Sequence, residues 1–450
     1  MKVKMLSRNP HDHIRERKQD LHHVPRNPDP ALHPFEEARE YTRALNATKL
    51  ERVFAKPFVG DLSGHTDGVS CFAKHPKRLS CLVSGACDGE IRVWDLSTRQ
   101  CTSAFVGHSG FVRGMCVAPS GESLLSVGDD KIVKRWSLTA AVQSHGDSTS
   151  MEPTHTILGK APFTSISHHY SEPLFATSGN QIDIWDEERS EPVRSFSWGC
   201  DTVGNVRFNP VEVNICGSCG SDRSIVLYDA RGSTPLRKVV LEMKSNCIAW
   251  NPREAFNFTA ANEDGNLYTF DMRKLTFPLN VHSDHVSAVM DVDYSRTGRE
   301  FVSASYDKTI RIFPMQGGHS REVYHTKRMQ RVFTICWSSD GKFIASGSDE
   351  MNIRLWKAKA WEKLGPVSAR ERAAHVQSEK LKTKYSSHPQ IRRIQRHRHI
   401  PHLIHSESKK KKDILSKIKR KEENVRRHTK PSKLKPRRPE RKKHIVGTVE

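Results

Sequence analysis

Residues 64–108 read GHTDGVSCFAKHPKRLSCLVSGACDGEIRVWDLSTRQCTSAFVGH. Within this stretch VSCF, CLVSG, IRVW and TSAFV are short β-rich runs parted by Gly, Asp, Pro and Lys turn signals, which makes four strands in one unit. The aromatic that closes the third run, Trp94, recurs as Trp136, Trp185, Tyr228, Phe270, Phe313 and Trp356. The spacings are 42, 49, 43, 42, 43 and 43 residues. A fixed period of this size marks a repeat architecture, so most residues in the repeats serve the scaffold.

Asp88, Asp130, Asp222, Asp264 and Asp307 each stand six residues before their closing aromatic. An Asp in a tight turn accepts backbone N–H groups, which explains its recurrence without any chemistry. The Gly-His opener, the turn Asp and the Trp-Asp ending resemble the WD-repeat family. The resemblance implies an all-β fold, a seven-bladed β-propeller of four-stranded blades. The expected organisation is a short N-terminal extension (1–48), the propeller (49–356) and a basic, mainly helical C-terminal extension (357–450).

A propeller must close its ring or leave an exposed sheet edge. After Trp356 no further WD-type strand is read, whereas ERVFAKPFVGDL precedes the first Gly-His, so residues 51–61 are expected to supply the outer strand of the last blade. The long third interval matches the polar stretch AAVQSHGDSTSMEPTH. Gly179 replaces the turn Asp in the third block, Glu350 takes that slot in the seventh, and blocks four and five lack a Gly-His opener.

His65, Ser84, Asp88 and Trp94 in block one, and His108, Ser126, Asp130 and Trp136 in block two, hold the recurring positions. His, Ser and Asp together suggest a hydrolase triad. Repetition argues otherwise, because an enzyme has no use for one triad per blade. Each set is read as a structural tetrad, and no catalytic residue is assigned. Cys216 and Cys219 have CxxC spacing, but no second pair follows at zinc-ribbon spacing. Alternation along a strand points the two to opposite faces. GSCGSD lacks the Lys and the helix of a phosphate loop. No metal and no cofactor is expected.

The ten Cys all lie between residues 71 and 336 and are expected as reduced thiols, with no signal peptide at MKVKMLSRNP. No apolar stretch is long enough to span a bilayer. Charge is divided unevenly. Of the formal net charge of +22, residues 357–450 carry 30 Lys and Arg against 9 Asp and Glu. Ser368 and Glu371 have capping-box spacing before ARERAAHVQSEKLKTKY, Pro389 opens a second expected helix, and SESKKKKDILSKIKRKEENVRRH a third. The third carries Ile414, Leu415, Ile418 and Val425 on a narrow stripe. KPSKLKPRRPERKKH is too rich in Pro and charge to bury a core. Arg392, Arg393, Arg396, Arg398, Lys409, Lys410, Lys411, Lys412, Arg437, Arg438, Lys442 and Lys443 are the candidate contacts to RNA or to a particle. With only Tyr385 interleaved, backbone and shape contacts are expected over stacked bases.

Two consecutive repeats end in Tyr228-Asp229-Ala230-Arg231 and Phe270-Asp271-Met272-Arg273. Both resemble the Trp-Asp-x-Arg box of WD-repeat substrate receptors. In those receptors the box docks the large propeller adaptor of cullin-4-type ubiquitin ligases. Asp229, Arg231, Asp271 and Arg273 are the corresponding candidates.

Two longer signatures are more specific: LNATKLERVFAKPF at Leu45–Phe58, and the segment from His388-Pro389-Gln390-Ile391 to Arg398-His399-Ile400-Pro401. Both resemble the "suppressor of fibrillarin" WD-repeat family. That resemblance implies a non-enzymatic assembly factor of the small-subunit processome. The implied place is the nucleus and nucleolus, and the implied partners are pre-ribosomal proteins, the U3 small nucleolar RNP and pre-rRNA. It implies no membrane and no small-molecule substrate. Vertebrate-type members also resemble cullin-4-associated receptors, an alternative or second role.

Overall fold

The computed structural model of the protein describes residues 32–138, 151–434, 436 and 439–449. They divide into two compact units, one within residues 58–358 and 399–449 and one within residues 32–57 and 359–398.

In the larger unit, β1 (Phe58–Leu62) belongs to the last blade. Blade one holds β2–β5 (Val69–Lys74, Cys81–Ala86, Glu90–Asp95, Gln100–Val106), and blade two β6–β9 (Val112–Val117, Ser123–Gly128, Ile132–Ser137, His155–Leu158). Blade three holds β10–β13 (Ser165–His168, Leu174–Ser178, Ile182–Asp186, Arg194–Phe196), and blade four β14–β17 (Val203–Phe208, Ile215–Gly220, Ser224–Asp229, Pro235–Leu241). Blade five holds β18–β21 (Ser245–Trp250, Asn257–Asn262, Asn266–Asp271, Asn280–Ser283), and blade six β22–β25 (Val289–Tyr294, Glu300–Ser305, Ile310–Pro314, Glu322–Tyr324). Blade seven combines β26–β28 (Val332–Trp337, Phe343–Ser348, Ile353–Lys357) with β1. The first strands of successive blades pack on one another in a closed ring, β2, β6, β10, β14, β18, β22, β26 and back to β2.

Each blade is a meander whose inward residues pack against the next blade. The apolar clusters therefore lie between blades, as where Val112, Met115 and Trp136 of blade two meet Val83 and Ile91 of blade one. Five turns obey one rule. Asp88, Asp130, Asp222, Asp264 and Asp307 each accept the N–H two residues on, at 2.7–3.2 Å. The residue between is left-handed, with φ of 63–89° at Gly89, Lys131, Arg223, Gly265 and Lys308. At the first of these only glycine fits, since a Cβ on Gly89 would stand 2.0 Å from the His108 carbonyl oxygen.

The ring closes through β1 and β28, with Phe58 opposite Trp356 and Leu62 opposite Ile353. This strand starts seven residues later than the sequence reading placed it. Residues 51–53 instead finish α1 (Glu36–Val53), a helix that reading missed. Its signal was the spacing of Tyr41, Ala44, Leu45 and Thr48, one face of a helix. Of the expected polar loop Ala140–His155, positions 140–150 lie outside the described residues.

The smaller unit is helical. α1 packs with α2 (Ala369–Lys384) and α3 (Pro389–Arg396) around Ala44, Tyr385 and Ile391. Ser368 Oγ accepts the Glu371 N–H at 3.3 Å, the N-terminal half of the capping box. In the larger unit the chain continues through α4 (His402–His428) to β29 (Ile445–Val449). β29 corrects the expectation that strands end at Trp356, since it pairs with β17 as a fifth strand of blade four. Among the described residues no helix is long and apolar enough to cross a membrane.

Leu62 is fully buried in the closing seam. Leu62→Ala is expected to lower stability by about 2–5 kcal/mol. Urea unfolding followed by tryptophan fluorescence checks this; an unchanged midpoint would deny β1 its part in closure.

Candidate functional site

The recurring His, Ser, Asp and Trp residues come together inside the blades. In blade two Trp136 Nε1–H donates to Ser126 Oγ at 2.9 Å. The Ser126 hydroxyl lies 2.7 Å from His108 Nε2, and His108 Nδ1 lies 2.9 Å from Asp130. The chain Trp to Ser to His to Asp satisfies every group with a neutral imidazole. His108 and Ser126 are buried, which leaves no room for a substrate beside them.

Blade one differs. His65 Nε2 and Trp94 Nε1 share Ser84 Oγ at 2.6 and 2.7 Å, but Asp88 does not reach His65. The nearest carboxylate to His65 Nδ1 is Glu90, at 3.3 Å. Asp88 is occupied by the Thr66 hydroxyl and the Glu90 N–H, and the longer Glu90 side chain takes its place. Blade six builds the network on His285, Ser303 and Asp307 (2.7 and 2.9 Å), with Phe313 in the aromatic position. Blade five, without the opener, links Thr259, Thr269 and His282 at 2.9 and 3.0 Å.

Cys216 and Cys219 face different apolar clusters on opposite sides of blade four. Burial pushes the Cys216 thiol up to about 12 and raises Cys219 further. Among the described residues no group of three or more His, Cys, Asp and Glu is placed to hold a metal.

The two Asp-x-Arg turns follow β16 and β20, third strands of adjacent blades, and so lie at one end of the propeller. Asp229 accepts the Arg231 N–H at 2.9 Å and its guanidinium at 3.3 Å. Asp271 does the same for Arg273, at 2.9 Å for the backbone and 3.1 and 2.9 Å for the fork. The Arg273 guanidinium also lies 4.1 Å from the centre of the Phe256 ring. Both arginine side chains stay largely in solvent, 71% and 62% exposed. Their hydrogen-bond partners are thus internal to the box, and both side chains remain largely open to solvent.

The basic candidates divide by environment. Arg392, Arg393 and Arg396 are exposed on α3, while Arg398 turns back onto the Gln395 and His397 carbonyls. Lys409, Lys410 and Lys412 are exposed on α4. Lys411 is not: its ammonium donates to the Asp264 and His285 carbonyls at 2.9 and 3.3 Å, and burial lowers its pKa. It anchors α4 to turns at the end of the propeller opposite the Asp-x-Arg boxes. Lys442 is exposed, Lys443 is half-buried 3.8 Å from Glu422, and Arg437 and Arg438 lie outside the described residues. The stripe of Ile414, Leu415, Ile418 and Val425 is exposed.

The two signature segments meet in the helical unit. Arg52 donates to the Gln395 carbonyl at 3.1 Å, and next to the segments Tyr41 donates to Gln390 Oε1 at 2.8 Å and Lys382 pairs with Glu51 at 2.7 Å. Residues 358–445 match the Sof1-like domain, and 56–95, 99–137, 276–313 and 319–357 match the WD domain, G-beta repeat. Over 450 residues the chain is 60% identical to DDB1- and CUL4-associated factor 13 of Xenopus laevis, covering 100% of both.

The chain belongs to the Sof1-like WD-repeat family.

The human DDB1- and CUL4-associated factor 13 is 58% identical over 449 residues, 100% of both chains. Protein SOF1 of Saccharomyces cerevisiae is 47% identical over 468 residues, covering 100% of this chain and 95% of that one. The WD40 β-propeller domain of Doa1 shares the fold, with a TM-score of 0.57 at 20% identity over 67% of this chain and 96% of that one. A WD-repeat propeller in this family is a scaffold or adaptor. The WD-repeat matches skip residues 138–275, which hold blades three and four and most of five, where the openers depart from the pattern and the two Asp-x-Arg boxes stand.

Burial lowers the pKa of His65, His75, His108, His169 and His285, and takes His282 down to about 4. These groups favour the fold above the unfolded value of about 6.5, and that stability is lost as pH falls toward their folded values. Melting temperature is therefore expected to fall steadily from pH 7 to pH 4.5. His282→Asn should start less stable but lose stability less steeply, by about 1.4 kcal/mol per pH unit between pH 6 and 4.5. Equal slopes in thermal melts would contradict a neutral buried His282.

Proposed function

We propose that the protein is a non-enzymatic assembly factor of the small-subunit processome, acting in the nucleolus on pre-rRNA processing to 18S rRNA. The observation that carries this reading is the Sof1-like segment 358–445, which presents exposed Arg392, Arg393 and Arg396 on α3 and Lys409, Lys410 and Lys412 on α4. The propeller offers rigid surfaces to particle proteins. The basic helices supply charge that tracks phosphates, including those of the U3 small nucleolar RNP and pre-rRNA. Lys442 belongs with these contacts. Lys411 and Arg398 serve the fold first.

A chain ending at Lys357 keeps β1 to β28 and is expected to fold, yet to lose co-sedimentation with pre-ribosomal particles and to stall 18S maturation. Normal sedimentation of the folded truncated chain would overturn the reading. For direct RNA contact, Arg392→Ala/Arg393→Ala/Arg396→Ala should weaken binding and flatten its salt dependence. Each lost phosphate contact lowers the log–log slope by about 0.7 on single strands. An unchanged slope would reassign α3 to protein contacts.

A second reading rests on its own observation, the paired Asp229–Arg231 and Asp271–Arg273 turns at one end of adjacent blades. The vertebrate relatives are named for association with DDB1 and CUL4. By that likeness this chain is also a substrate receptor of a cullin-4-type ligase. Each guanidinium, oriented by its own Asp, presents free N–H donors to acidic or carbonyl acceptors on the adaptor. The boxes and the α4 anchor use opposite ends of the propeller, so the two roles do not compete for one surface. Arg231→Ala/Arg273→Ala is expected to abolish co-purification with DDB1 while leaving particle incorporation intact. Full recovery of DDB1 with the folded double variant would remove this second role.

A further inference from the structure

Four blades share a clamp across the seam with the blade before. The residue two places after the closing aromatic offers its carbonyl oxygen to a side chain at the preceding blade's outer strand. Arg194 in β13 donates to the Ala230 carbonyl, and Arg237 in β17 donates to those of Met272, at 3.3 Å, and Arg273. Asn280 in β21 donates to the Met315 carbonyl at 2.8 Å. Arg321, just before β25, donates to that of Ala358 at 2.9 Å. The donors are 43, 43 and 41 residues apart, the period of the repeat.

In two of the four clamps the gripped carbonyls belong to the Asp-x-Arg boxes. Ala230 lies between Asp229 and Arg231, and Met272 and Arg273 are themselves box residues. The backbone of each box is therefore held from two sides. Its own Asp takes the arginine N–H at 2.9 Å, and a guanidinium from the neighbouring blade takes the carbonyl. The clamping charges are also close to the box carboxylates, since Arg194 and Arg237 contribute to holding Asp229 and Asp271 below the usual carboxylate range. In blades six and seven the same clamp grips a turn that carries no box, at Pro314-Met315 and Lys357-Ala358.

We propose that Arg194 and Arg237 are positioning residues of the docking surface, fixing the direction in which Arg231 and Arg273 leave the propeller toward an acidic partner edge. This rests on the reading of the boxes as adaptor-docking turns. A turn clamped at its carbonyl presents its arginine in one orientation, so less conformational freedom is lost when the partner binds. An unclamped turn swings, and the fork loses its match to the acceptors.

The test uses the full chain and purified DDB1, with affinity and melting temperature measured together. Arg194→Met/Arg237→Met is expected to weaken binding about tenfold, with a melting shift no larger than that of Asn280→Ala. Asn280→Ala removes the same clamp from blade six and should bind like the wild type. Arg194→Lys/Arg237→Lys keeps a donor and a charge and should recover most of the affinity. Wild-type affinity in the double Met variant, while Arg231→Ala/Arg273→Ala abolishes binding, would overturn the inference and leave the docking reading standing. An equal loss in Asn280→Ala would also overturn it, because the clamp would then act through the ring as a whole. Wild-type binding by Arg231→Ala/Arg273→Ala would remove the docking reading itself and the inference with it.

Discussion

Ring closure is the constraint on which everything else in the larger unit depends. A single four-stranded blade cannot bury both its faces, and each finds its core only against the next. The last blade is finished by β1, 298 residues before its partner Trp356 in the chain. Loop-closure entropy grows slowly, so closing this span rather than one blade's length adds only roughly 2 kcal/mol. Burying Leu62 alone returns about as much. Long-range closure is therefore affordable, and it brings together the flanks of the repeat region. In the smaller unit, α1 from one flank packs with α2 and α3 from the other, which explains why the two longest signatures lie at opposite ends of the sequence yet touch at Arg52 and Gln395.

Within the blades, residue types that suggest chemistry serve to satisfy one another. The Trp136–Ser126–His108–Asp130 chain places four polar groups where water is excluded, and each is matched. Leaving one such buried partner unpaired costs about 1–3 kcal/mol, more than the bond itself contributes net. The His–Ser pair at its centre is kept in blades one, two and six, while the carboxylate contact in blade one and the aromatic in blade six vary. Blade five replaces it with two Thr hydroxyls and His282 drawn from the outer strand.

The strands, their number and the turn Asp were legible because each is a local pattern repeated at register. Four things were not. α1 has one modest helical face and ends where a strand motif begins, so ERVF was read forward into PFVGDL. β29 is five residues long after a run of Pro and charge, and its β-branched IVGTV becomes a strand only because β17 offers an edge. The inter-blade clamps involve an ordinary Arg or Asn on an outer strand, and nothing at Arg194 or Arg237 distinguishes them until the next blade's carbonyl is in view. The same holds for Lys411, one of four identical neighbours in sequence. Which of them points at the Asp264 and His285 carbonyls is a matter of helix phase against a surface the sequence does not display.

β29 and Lys411 share a physical cause: they are contacts between segments that follow different rules. The repeat alternates with period two, the extension is helical, and the residues joining them obey neither. This division also sorts the charged groups. Where a cation is held by fixed carbonyls of another segment, as at Lys411, Arg194 and Arg237, it is committed, and its removal acts on shape. Where its hydrogen-bond partner is the Asp two residues away, as at Arg231 and Arg273, most of its donors remain for another molecule. Where it stands exposed on a helix with no side-chain partner among the described residues, as at Arg392 and Arg393, it contributes field rather than geometry. The protein thus carries cations for structure, for directed docking and for diffuse attraction. Which acceptor each cation meets, a distant carbonyl or a neighbouring carboxylate, separates them more sharply than their density along the chain does.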